Sequence, residues 1–245
     1  MGMYQVGGMV GRSVYTIDAS NKLGVSHEAF IKATKMSNTF NDSGYVGSIL
    51  DGSLEAVSSL VTGVGYASYD FLDQGDVAWK REALDRLIVM IVDGRVNINN
   101  LKKIIHITYA FYFKLIGEEA RKKLAAKLLS KKATEMALSL IIAEKFGINA
   151  LIRVESFWAK FALKKGVMTA MTLPAIKAKS AYKSRELSDK SLDLYWELRK
   201  NGGLDLLYFM MEPYIGVYVD AIYLYRTNKP LFDEIVMLYI DMIKV

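Results

Sequence analysis

The sequence predicts an all-α fold: a single multi-helix, bundle-like domain with a glycine-rich, less regular N-terminal third. Three observations carry this. Apolar residues recur at 3.6-residue spacing along much of the chain after Asp76. Capping residues precede several of these runs and glycines follow them. Of the 18 glycines, 11 lie at or before Gly75, and each lowers helix stability by about 1 kcal/mol relative to alanine. The expected division is therefore 1–75, a glycine-rich region that is weakly structured or membrane-interacting, and 76–245, a helical bundle domain.

Taken in order, 1–25 reads as an extended lead-in. Within 24–38, Ser26 is the expected cap of a short helix with Glu28 in its first turn, and "NDSG" at 41–44 is a turn. Residues 43–69 carry only Asp51 and Glu55 as charges. Asp76 caps a helix from 77 to about 92 that Gly94 stops, with Leu84, Leu87, Ile88 and Ile91 as its core face. Asn100 caps the next, which contains "IIHITYAFYFKLI" (104–116) and ends at Gly117. Thirteen helical residues rise about 20 Å, short of the roughly 30 Å hydrocarbon core, so this stretch reads as a buried core helix and not a membrane span. His106 within it reads as a core histidine.

Residues 118–146 predict a long helix with an apolar stripe of Ala125, Leu129, Ala133, Met136, Leu140 and Ala143. A basic, aromatic helix over 149–166 follows. Residues 171–186, with Pro174, read as a connector plus a short helix. Ser188 caps a helix that Gly202 and Gly203 stop, and the apolar run 204–226 is divided at Pro213. The terminal amphipathic helix has Pro230 near its first turn.

The chain has no cysteine and only two histidines, His27 and His106. That excludes disulfides, a cysteine nucleophile and a multi-histidine metal site, so no metal or cofactor is expected. "GGMVGRS" lacks the Gly-Lys-Ser/Thr ending of a phosphate-binding loop. Glu155 and Glu197 lie beside tryptophans, a weak sign of an acid catalyst, and no catalytic residue is assigned. The N-terminus has no secretory signal pattern, and Val6 stands where a myristoylation motif needs Ser or Thr. The protein is expected to be cytoplasmic when made, with any export leaving no cleaved signal.

Charge is segregated. Residues 1–101 carry a net −3, residues 102–200 a net +12, and residues 201–245 a net −3. With 52% hydrophobic residues and 24% charged, this pattern suggests basic amphipathic helices. The leading expectation is a membrane-active helical protein with the physical logic of a bacterial pore-forming or depolarising toxin. The alternative is a non-enzymatic interaction module, such as a toxin-neutralising or assembly protein, binding an acidic partner. The candidate membrane- or partner-binding residues are Lys122, Lys123, Lys127, Lys131, Lys132, Lys160, Lys164 and Lys165. Asp51 and Glu55 are the candidate pore-lining carboxylates. The partner is anionic lipid or an acidic protein, with an oligomer compatible with either, and nucleic-acid binding rests on charge alone.

Overall fold

The computed structural model describes residues 20–21, 23–41, 77–127 and 169–243. These residues are all-α, as the sequence predicts. The helices are α1 (His27–Asn41), α2 (Val77–Val92), α3 (Ile98–Leu115), α4 (Glu118–Lys127), α5 (Thr169–Lys190), α6 (Leu192–Lys200), a 3-10 turn (Leu204–Leu207), α7 (Tyr208–Thr227) and α8 (Lys229–Met242). All of the stripe predicted over 118–146 except Ala125, and all of 149–166, lie outside the described residues.

α7 is the central strut. Its mean composition is apolar, and α3, α5, α8 and α1 all pack on it. α1 lies along α8, α2 packs on α5, α6 packs on α5 and the 3-10 turn, and α4 abuts α8. One continuous apolar core joins all eight helices. Its centre is aromatic. Tyr218 of α7 meets Tyr109 and Tyr112 of α3 and Tyr239 of α8, with ring centroids 4.5, 5.4 and 5.9 Å away in edge-to-face arrangements. Such pairs add about 0.5–1.5 kcal/mol each beyond their buried area. The Tyr218 hydroxyl lies 3.2 Å from the Tyr239 hydroxyl and 3.4 Å from the Met36 carbonyl oxygen of α1. A polar thread thus runs through an otherwise oily centre.

The caps follow from local chemistry. Ser26 caps α1, its hydroxyl accepting from the Ala29 N–H at 3.2 Å. The same hydroxyl and the Ser26 N–H both donate to the Glu234 carboxylate of α8 at 2.7 Å. Asn228 caps α8 and Pro230 occupies its first turn, where a missing N–H costs nothing.

Several expectations are corrected. α3 is capped by Asn97, whose side chain accepts from the Asn100 N–H, three residues before the expected cap. Asn100 instead donates to the Arg95 carbonyl. In α2 the expected face of Leu84, Leu87, Ile88 and Ile91 is rotated. The buried positions are Lys80, Ala83, Leu87 and Met90, while Ile88 and Ile91 are about two-fifths exposed. The run Leu87–Val92 is apolar all round, so periodicity could not choose its inner side. In α4 the buried residues are Ala120 and Leu124, with Ala125 only half-buried. Residues 171–186 are not a connector, since α5 runs unbroken through Pro174. It reaches Lys190, so the cap of α6 is Ser191 and not Ser188. Pro213, expected to kink the run or to start a new helix after Glu212, starts no new helix and lies inside α7. The break comes earlier, where the 3-10 turn meets the helix at Tyr208.

"IIHITYAFYFKLI" is a core helix, with Ile104, Ile105, Thr108, Tyr109, Tyr112, Phe113 and Ile116 buried. Gly202 and Gly203 stop α6 at φ 95° and 80°. A Cβ at Gly203 would approach the Met90 sulfur to 3.3 Å in a backbone region that L residues avoid. Gly203→Ala is expected to lower stability by about 1–3 kcal/mol, read as a lower urea midpoint with unchanged slope.

Candidate partner-binding surface

Three of the eight predicted docking lysines lie among the described residues, on α4. They are not equivalent. Lys122 is three-quarters exposed and pairs along its own helix with Glu118 at 2.7 Å. Lys123 reaches across to Asp241 of α8 at 2.7 Å. Lys127 donates from Nζ to the carbonyl oxygens of Ile240 and Asp241, each at 2.6 Å. A cation at the last carbonyls of α8 complements the negative end of its dipole. Two of these lysines are therefore committed to holding α4 against α8. Lys131, Lys132, Lys160, Lys164, Lys165, Asp51, Glu55 and Glu155 lie outside the described residues.

Among the described residues, a basic face lies on α3. This helix contains no acidic residue, and Lys102, Lys103 and Lys114 are exposed. None of the three has an ion-pair partner among the described residues. At 100° per residue, Asn99, Lys102, Lys103, His106, Ala110 and Lys114 fall within an arc of about 120°. Opposite this arc Leu101, Ile104 and Tyr112 are buried and anchor the helix, and the buried Phe113 falls inside the arc near its Lys102 edge, so the lysines sit on a fixed backbone. In the sequence Lys102 and Lys103 directly precede the run 104–116 and Lys114 lies within it, but they are not among the predicted docking lysines.

Two further polar groupings brace the interior. Asp205 of the 3-10 turn is fully buried and receives Arg86 of α2, with Nη2–Oδ2 at 2.7 Å and Nη1–Oδ1 at 3.5 Å. Ser184 of α5 donates to the same carboxylate at 2.8 Å, and Ser180 to the Leu206 carbonyl at 2.6 Å. Along α5 and α7, Lys183 bridges Glu186 and Glu212 at 2.6 Å, and Lys190 bridges Glu186 and Asp220 at 2.7 Å. Burial alone would raise the Glu186 carboxyl, but hydrogen bonds and charge from Lys183 and Lys190 outweigh it and hold it below the ordinary value. Burial works against the Lys183 ammonium too, yet its two carboxylates push it up. Lys179, one turn earlier, is lowered by burial and by the Lys183 charge, with Glu212 opposing. The three bridged carboxylates and three lysines balance, which is the charge pattern of a brace between helices.

Among the described residues, no group of three or more His, Asp or Glu side chains could hold a metal ion, and no helix is long and apolar enough to cross a membrane. Glu197, beside Trp196, is exposed on α6. No protein-family model matches the chain, and neither a curated protein nor a solved structure matches it.

Proposed function

We propose that this chain is a non-enzymatic helical interaction module that binds an acidic partner through its basic surface. The observation that carries this reading is the placement of 204–226. The membrane-active alternative draws on the stretches 43–69, 136–143 and 204–225, of which the last lies among the described residues and would have to leave the core. Leu204, Leu206, Leu207, Met211, Ile215, Tyr218, Val219 and Ile222 are instead all buried, and α7 contacts four other helices. Releasing α7 would expose most of the core. Burying a large apolar side chain stabilises by about 1.5–3 kcal/mol, so exposing eight together to water costs about 12–24 kcal/mol, comparable to the whole 5–15 kcal/mol that holds a typical domain.

The test is flotation and dye release with phosphatidylserine-containing and neutral vesicles, at low and high salt. Salt-sensitive adsorption without release fits a basic surface on an intact fold. Dye release would overturn the module reading in favour of the membrane-active one, because it requires core helices to enter the bilayer.

A further inference from the structure

We infer that the outer face of α3, bearing Lys102, Lys103 and Lys114, is the docking ridge, and that its occupant is an acidic helical surface of a partner protein. This inference rests on the interaction-module reading and names the site and partner class for it. Charge complementarity makes the first argument. Three exposed ammonium groups without carboxylate partners lie on a helix with no acid of its own, and such a field attracts and orients an anionic surface.

Spacing makes the second. Lys102 and Lys114 are twelve positions apart, about 18 Å along the helix at 1.5 Å per residue. Carboxylates twelve positions apart on a partner helix span the same distance. Ala110 lies between the basic ends, so a helix backbone can approach the middle of the ridge closely.

Side-chain character makes the third. Among the α3 side chains whose burial is described, 99–115, no large apolar one is exposed; the exposed ones lie elsewhere at Leu23, Ile88, Val89, Ile91, Val92, Leu192, Trp196 and Tyr223. An interfacial membrane helix needs apolar anchors beside its cations. This ridge has the cations alone, which favours a protein over a lipid surface.

The experiment measures binding of the full chain to an acidic helical peptide with Glu at that same spacing, to disordered polyglutamate, and to phosphatidylserine vesicles. The variants are Lys102→Gln/Lys103→Gln/Lys114→Gln and, as control, Lys122→Gln. Both keep good helix formers at exposed positions, and circular dichroism checks that the fold is retained. The expected result is salt-sensitive peptide binding, weakened about tenfold or more in the triple variant and less than about twofold in the control. Undiminished binding by the triple variant overturns the α3 ridge while leaving the acidic-partner reading standing. Absence of binding to peptide and polyglutamate alike at low salt overturns both. Vesicle binding that exceeds peptide binding and is lost in the triple variant overturns the protein occupant.

Discussion

Raising the pH above about 10 is expected to unfold the protein cooperatively, with tyrosinate absorbance rising at the same midpoint as the loss of helix. Burial pushes Tyr109, Tyr112, Tyr208, Tyr218 and Tyr239 above their ordinary value of 10.0. Neighbouring tyrosines add to this for Tyr109, Tyr218 and Tyr239, and the Glu212, Glu186 and Asp220 charges add to it for Tyr208. The folded state keeps these protons while the unfolded chain releases them near pH 10. Above that pH the unfolded state binds fewer protons, so stability falls as pH rises. Each group costs about 1.4 kcal/mol per pH unit, and five together about 7 kcal/mol per unit. Lys183 and Lys190 act in the same direction: their raised values give stability that is full below 10.5 and lost as pH climbs through the folded-state value. Glu186, held low, loses its contribution at the opposite end, as pH falls below 4.5. A smooth, non-cooperative tyrosinate titration centred at pH 10, with helix content unchanged to pH 12, would show that the aromatic core is open to solvent.

Arg86→Ala is expected to lower stability by about 3–5 kcal/mol. Asp205 is fully buried, and the substitution leaves its carboxylate with the Ser184 hydroxyl as its remaining side-chain donor. The cost comes from an uncompensated buried charge more than from the lost attraction. The paired change Arg86→Met with Asp205→Leu removes both charges and is expected to recover most of the loss. Urea denaturation of the three proteins decides between this account and simple loss of packing. If the double variant is no more stable than Arg86→Ala, the packing of the arginine stem is the larger effect.

Much of the helical pattern was legible because it rests on local chemistry. Gly94 and the Gly202–Gly203 pair end helices where the chain needs positive φ, and Pro230 enters α8 in its first turn. Core membership of 104–116 was legible because charges flank a run too short for a bilayer. What local pattern could not supply was the side of α2 that faces inward, since six successive apolar residues offer every direction equally. It also could not foresee α5 and α7 continuing through Pro174 and Pro213, because neighbouring helices decide that outcome. The candidate surface was half legible. Excess positive charge located the segment, but the sequence could not show that Lys123 and Lys127 would be taken up by α8 while Lys102, Lys103 and Lys114 would stand free. Such pairings join residues more than a hundred positions apart.

The clasp between Ser26 and Glu234 spans 208 positions, and it closes the side of the core where α1 lies on α8. During synthesis at roughly 5–20 residues per second, α1 therefore waits on the order of ten seconds or more before the helix it needs has been made. Throughout that interval Ala29, Ala33, Met36 and Phe40 have no α8 to cover them. The nascent chain thus carries an unfinished aromatic wall until its closing helix emerges.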